Sequence, residues 1–365
     1  MRILIIGGSN SLLKGGYVQG LAEALEGYAQ AEIVQISVGA TTSLSAIGRL
    51  HESFDGRAAD VILYEYGIND AGHFAPRPGG AESWLMCFHL LLKTAARLYP
   101  SAVFVPLVLA QQHHFSMAVQ NPIYDAQIRA YQELALPYID VRAWMSGLFL
   151  GRAPAWMYRD AAHYDTPHAT SIIGALVAQR LLTLKAQNAE PLASTLARLD
   201  LLSPFAKTEV MYIPALNLRQ FVSGPAEPGH IANRLMTLDY LRMLPGSRLD
   251  LHSEMFPLAL FLKSDPHHDA LQLELSTTDG LAINTRVATR HADTETLPFI
   301  YSSIPLPLLW SHSLVMRYGA SRLGVSVPLE AGGAQTGFDC YAPGLPQAPQ
   351  RHLDLVGLLM LAQKA

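Results

Sequence analysis

A chain of 365 residues exceeds one ordinary core of roughly 100–200 residues, so two domains are expected. Half of its residues are hydrophobic and 15% are charged, which excludes wholesale disorder. With 26 basic residues against 30 acidic ones and a formal net charge of −4, the chain has no broad positive field for a polyanion, and nucleic acid is not an expected partner.

The chain opens on Ile3-Leu4-Ile5-Ile6 and then glycines, an apolar run shorter than the roughly 7–15 residues of a secretory core and typical of a buried first strand. No stretch reaches the roughly 20 apolar residues of a membrane span, so the expectation is a soluble, cytoplasmic protein. Short apolar runs then alternate with helical patterns. Strands are expected at residues 2–6, 32–37, 61–65 and 103–107, with a weaker one near 138–141. Helices are expected at 17–26, 84–98, 122–134 and 168–185. This order predicts a doubly wound, three-layer α/β domain with about five parallel strands over residues 1–185. Residues 186–205 are small, polar and interrupted by Pro191 and Pro204, which suits a partly helical linker.

From residue 206 to 365 the pattern changes to short apolar stretches punctuated by Pro245-Gly246, Asp279-Gly280 and Gly332-Gly333. Strands are expected at 210–213, 258–262, 271–275, 282–287, 299–302, 313–318, 324–329 and 353–361, giving a β-rich accessory domain of sandwich or jelly-roll type. Two cysteines in the whole chain, Cys87 and Cys340, make neither a disulfide framework nor a set of metal-ligand pairs.

Four short segments carry the chemistry. Gly7-Gly8-Ser9-Asn10-Ser11 ends the first strand, Gly39 follows the second, Gly67-Ile68-Asn69-Asp70 follows the third, and Asp160-Ala161-Ala162-His163 precedes the last helix. Each alone could be a turn, a helix cap or a satisfied polar group. The Gly-Gly-Ser turn lacks both common phosphate-loop patterns, which leaves a nucleotide without support. Together the four segments converge on the carboxyl edge of the sheet and supply a nucleophile, an oriented base and oxyanion donors.

In this order and spacing they resemble the SGNH hydrolases, also called GDSL-type esterases and lipases, over residues 1–185. The resemblance implies a flavodoxin-like fold. It implies a catalytic triad of Ser9 as nucleophile, His163 as general base and Asp160 as its support, and an oxyanion hole made by the Ser9 and Gly39 N–H groups and the Asn69 amide. The chemistry implied needs no metal or organic cofactor. Two departures stand out. The family's Gly-Asp-Ser is Gly7-Gly8-Ser9 here, and a second Asp-x-x-His, Asp165 to His168, overlaps the first. His168 falls where the family opens its last helix with a small residue, so His163 is preferred and His168 is the alternative base.

Asp70, His73, His113 and His114 are weaker candidates to line the substrate rim, with solvated loop as the plainer reading of the two adjacent histidines. His267-His268-Asp269 and His291-x-Asp293 suggest a metal, yet no strand gathers three ligands, so these too read as solvated loops. Trp310, Tyr318 and Tyr341 could stack on a sugar, although core packing suits each of them better. The expected function is a serine esterase that removes acetyl or other short acyl groups from a glycan or small-molecule ester. An O-acyltransferase using the same triad is the nearest alternative, and an inactive glycan-binding protein is one of another class.

Overall fold

The computed structural model describes the chain except residues 28–29, 203–207, 234–235, 266–267, 269, 279, 281, 289–298, 307–320, 331–335, 338–350 and 364–365. It divides into two compact units, Met1–Ala206 and Lys207–Ala365.

The first unit runs β1 (Arg2–Gly7), α1 (Tyr17–Leu25), β2 (Glu32–Gln35), α2 (Ser43–Glu52), β3 (Val61–Glu65), α3 (Gly67–Phe74) and α4 (Gly80–Leu98). It continues through β4 (Val103–Val108), α5 (Pro122–Glu133), β5 (Ile139–Asp140), α6 (Val141–Leu148), α7 (His168–Ala186) and α8 (Leu192–Leu202). The five strands are parallel in the order β2-β1-β3-β4-β5, so the winding reverses between β1 and β3 and opens a crevice at their carboxyl ends. β1, β3 and β4 are almost wholly buried, as near-continuous apolar runs require when both sheet faces are covered.

Alternation along these strands separates two cores. Ile3, Ile5, Leu63 and Val105 pack with Tyr17, Leu21, Ile173, Val177 and Leu181 from α1 and α7. On the opposite face Tyr64 meets Phe104 and Phe88 at centroid distances of 5.5 and 5.7 Å, and Trp84 stacks on Phe88 at 5.1 Å. Local sequence sets the helix starts. Asn121 accepts from the Ile123 and Tyr124 N–H groups ahead of Pro122, and the Asp140 carboxylate accepts from Ala143 N–H.

Residues 186–205 differ from the expected linker, because most of them form α8, which belongs to the first unit. Leu192, Thr195 and Leu199 are buried, Leu192 N–H donates to the Ala102 carbonyl, and Asp200 lies 3.6 Å from Lys93. Among the described residues no helix is long and apolar enough to cross a membrane.

The second unit is β-rich, as expected. Its strands are β6 (Thr208–Pro214), β7 (Val222–Ser223), β8 (Ala226–Ala232), β9 (Thr237–Met243), β10 (Arg248–Ser253), β11 (Phe256–Ser264), β12 (Leu271–Thr277), β13 (Ala282–Ala288), β14 (Ile300–Pro305), β15 (Ser321–Ser326), β16 (Thr336–Gly337) and β17 (Leu353–Gln363). One sheet runs β16-β13-β12-β15-β10-β7. The other runs β14-β11-β17-β9-β8, with β6 on β17. The pairs are antiparallel except β13 with β16. The strand expected at 313–318, together with Trp310, Tyr318, Tyr341 and Cys340, lies outside the described residues.

Candidate active site

Ser9 stands just past the end of β1, in a single 3-10 turn that runs from Ser9 to Ser11. His163 reaches it from the loop before α7, with Nε2 2.8 Å from Ser9 Oγ. On the far side of the imidazole, Nδ1 lies 2.8 and 2.9 Å from the two oxygens of Asp160. The loop shapes itself around that carboxylate, since Asp160 Oδ1 also accepts from the Ala162 and His163 N–H groups at 2.9 Å each. Partial desolvation works against ionisation of Asp160, but those two N–H groups and the His163 ring outweigh it and hold the carboxyl below its usual range. The main chain on either side of this loop is paired, Tyr158 with Tyr164, and Arg159 N–H donates to the His163 carbonyl at 3.0 Å.

Gly39 lies against the nucleophile, close enough that a Cβ there would stand 3.3 Å from Ser9 Cβ. Its neighbour Val38 is fixed by N–H donation to the Gly7 carbonyl at 2.9 Å and by the Tyr66 hydroxyl on its own carbonyl at 3.2 Å. Asn69, in the first turn of α3, approaches from the third side. Its side-chain amide occupies the space that a Cβ on residue 8 would need, so the departure from Gly-Asp-Ser has a steric cause here: Gly8 makes room for Asn69. The structure therefore brings Ser9, Gly39, Asn69, Asp160 and His163 into one cluster at the β1/β3 crevice. His168 opens α7, exposed to solvent, and the bond to Ser9 comes from His163.

The four rim candidates divide. Asp70 does not line the site and corrects the expectation: it is fully buried, with Oδ1 accepting from Ser43 N–H at 2.9 Å and Oδ2 from Trp84 Nε1–H and the Tyr64 hydroxyl at 2.9 and 3.1 Å. Burial raises its carboxyl to about 6 despite these donors. It ties α3, which carries Asn69, to the start of α2, which follows the Gly39 loop. His114 is likewise built into the scaffold. Its ring is hydrogen-bonded to Gln111 and Asn121 at 3.2 Å each, and its carbonyl accepts from Arg142. His113 remains exposed, its ring tilted 46° against that of His114 at a centroid distance of 3.9 Å, in a turn whose Gln112 N–H donates to the Ala161 carbonyl beside the base. His73 is half-buried one turn beyond Asn69.

Asn10 escaped the sequence reading. Its Nδ2 donates to the Ala162 carbonyl at 3.0 Å and its Oδ1 accepts from Tyr164 N–H at 3.1 Å, so it grips the main chain on both sides of His163. Only its place beside Ser9 could have drawn attention to it.

A second correction lies in the β-rich unit. His268 is not in a solvated loop but buried with Asp265, His352 and Asp354, their ligand atoms all within 4.8 Å of one another. The ends of β11 and β17 gather this set, and cations already balance it. Lys263 Nζ donates to Asp265 and Asp354 at 3.1 and 2.7 Å, and Arg242 takes Asp354 through two bonds at 2.8 and 2.9 Å. His267, Asp269, His291 and Asp293 lie outside the described residues.

No family model and no curated protein matches the sequence. Solved structures do match its fold. A two-domain esterase, CEX, described as active on acetylated mannans, aligns at a TM-score of 0.65 and 13% identity over 100% of this chain and 92% of its own. The same description co-crystallised with mannopentaose aligns at 0.61 and 12% identity over 100% and 91%. The chain thus shares the fold of that two-domain protein, here a parallel-sheet α/β unit followed by a β-rich one.

Proposed function

We propose that the protein is a serine esterase that removes acetyl groups from a carbohydrate. The observation that carries the reading is the hydrogen-bonded line from Ser9 through His163 to Asp160. A serine hydroxyl attacks an ester only when a neighbouring base takes its proton. His163 Nε2 takes it as Ser9 Oγ bonds to the carbonyl carbon, and Asp160 supports the imidazolium through Nδ1–H. The carbonyl oxygen gains the negative charge, and this reading assigns the Ser9 and Gly39 N–H groups and the Asn69 amide as the donors that meet it, a role that the nearness of Gly39 and Asn69 to the nucleophile turn supports. Collapse breaks the ester bond, and His163 returns the proton to the departing sugar oxygen. Water then attacks the acetyl-serine with His163 again as base, releasing acetate and restoring Ser9.

Hydrolysis is preferred to acyl transfer because the site is open: the Asp160 side chain is 46% exposed and that of His163 29%, which gives water ready access to the acyl-enzyme. The carbohydrate part of the reading is supported by the full-length likeness to an esterase described as active on acetylated mannans.

The test is acetate release from an acetylated mannan, together with labelling of Ser9 by a fluorophosphonate. Ser9→Ala should abolish both, and His163→Ala should lower kcat by about a million-fold while His168→Ala stays within a few-fold of wild type. Loss in His168→Ala with activity kept in His163→Ala would move the base to the second Asp-x-x-His, and an unlabelled, inactive wild type would sink the esterase reading.

A further inference from the structure

Directly beneath the nucleophile turn lies an acidic residue for which the ester chemistry has no use. Glu65 is the last residue of β3 and pairs in parallel register with Gly7 at the end of β1. Its main-chain carbonyl accepts from Gly8 N–H at 2.7 Å. Its side chain reaches Ser11, whose hydroxyl donates to Oε2 at 2.9 Å and lies 2.8 Å from the Tyr17 hydroxyl. Gly8 and Ser11 bracket Ser9, so one residue holds both ends of the turn. Glu65 is completely buried, and its Oε1 has no hydrogen-bond partner among the described residues.

The titratable groups facing Glu65 are Tyr17 from α1, Tyr66 and Asp70 around the start of α3, Tyr124 from α5 and Tyr164 from the loop before α7, and no cation is among them. A carboxylate there would have the Ser11 hydroxyl and the Gly8 N–H to favour its charge, one oxygen without a hydrogen-bond partner among the described residues and no counter-ion among the groups that face it, an arrangement that burial makes costly.

We propose that Glu65 is a positioning residue that works as a neutral carboxylic acid, seating the nucleophile turn through Ser11 only while it holds its proton. The proposal rests on Ser9 being the nucleophile. As the acid, Glu65 carries its proton on Oε2, so the bond that Ser11 donates to the ion reverses: Oε2 donates to Ser11, Ser11 turns its own hydrogen to Tyr17, and the unpaired oxygen is a neutral carbonyl. Burial, with the Asp70 charge adding to it, outweighs the Ser11 and Gly8 donors and pushes the carboxyl up to about 8. Asp70, at about 6, is ionised before Glu65 begins to be, and burial holds all four tyrosines above the usual phenol range. The sign follows. Between the ordinary glutamate value and about 8 the unfolded chain releases a proton that the fold retains, so the fold loses stability as pH rises through that window. Above about 8 the folded molecule itself ionises and the turn is unseated.

The test compares wild type with Glu65→Gln, which keeps the shape of the acid and has no proton to lose. Two quantities are read from about pH 6 to about pH 10: kcat/KM for a small acetate ester, and the thermal midpoint. Wild type should lose kcat/KM by about tenfold per pH unit beyond its limb near pH 8, and its midpoint should fall from about pH 6 to about pH 8 and then level off. Glu65→Gln should stay within a few-fold of wild type at neutral pH, lack the alkaline limb in kcat/KM and show a smaller fall in midpoint than wild type up to about pH 8. An unchanged alkaline limb in Glu65→Gln overturns the proposal, and so does a folded Glu65→Gln that is inactive throughout. The thermal reading is independent of ester chemistry. A wild type that hydrolyses nothing, yet whose midpoint falls more than that of Glu65→Gln, refutes the esterase reading and leaves Glu65 as a neutral acid beneath that turn. Equal midpoint curves refute the Glu65 assignment whatever the activity.

Discussion

Asn10 uses both ends of its side-chain amide on the loop that carries the base, and that loop is otherwise an exposed turn around Asp160. Removing the amide leaves the two main-chain groups flanking His163 without their link to the nucleophile turn, so the gap between Ser9 Oγ and Nε2 loses its control. Misplacement of about 1 Å at a reacting pair costs about a hundredfold in rate. Asn10→Ala should therefore lower kcat for a small ester by about that factor, with KM little changed and the far-ultraviolet circular dichroism intact. An unchanged kcat would show that the loop holds His163 unaided. The contrast with Ser9, Asn69 and His163 explains what was legible at this scale. Those three are polar residues just past a strand or just ahead of the last helix, in a spacing that chemistry demands. Asn10 and Glu65 act through partners more than 50 positions away, and an asparagine in a turn or a glutamate ending an apolar run has an ordinary local explanation.

At the scale of elements, the nucleophile turn leads into α1 and the base loop leads into α7, so how closely these two helices cross sets where the two halves of the site meet. Gly20 and Gly174 make the crossing. A Cβ on Gly174 would stand 2.5 Å from the main-chain atoms of Gly20 and Leu21, and one on Gly20 would stand 3.0 Å from Ser171 Cα. Gly174→Val must push the helices apart, an overpacking cost of about 3 kcal/mol or more, which in a domain of this size lowers Tm by about 6–12 °C. Thermal unfolding measures the drop, and an unchanged Tm would show that the crossing has slack. Neither glycine stood out in sequence, where a small residue on a helical stripe is unremarkable. β1, β3 and β4 were legible because burial on both faces leaves no polar position to break the run. α2 and α3 were missed because Thr41-Thr42-Ser43 and Gly67 read as turn residues, while Ser43, Ser45 and Arg49 are polar groups buried on the helix itself. In the second unit β8 and β9 were missed because Pro228, Gly229 and charged residues interrupt half-exposed strands.

At the scale of the whole molecule, composition marked where the chain changes character but placed the end of the first unit about twenty residues early, because a small, polar, proline-bracketed segment looks like a linker whether or not it packs. Three side chains decide the matter. Leu192, Thr195 and Leu199 face inward from α8, and every residue of the Ser9 cluster lies before Ala206. A chain ending at residue 206 should therefore fold alone and keep the wild-type kcat/KM for a small acetate ester, since the cluster and its supports are complete within it. A chain ending at residue 185 strips α8 away and exposes the surface beneath two buried leucines, about 1.5–3 kcal/mol each, and leaves Lys93 without Asp200. Its Tm should fall by about 6–24 °C relative to the longer fragment. The two fragments differ only in residues 186–206, which carry that helix, so scanning calorimetry on both isolates the segment's contribution. Equal Tm values would restore residues 186–205 to the status of a linker. If only the longer fragment keeps small-ester activity and both it and the 185-residue chain fail on an acetylated mannan that the full chain hydrolyses, the β-rich unit is what directs the reaction to the polymer.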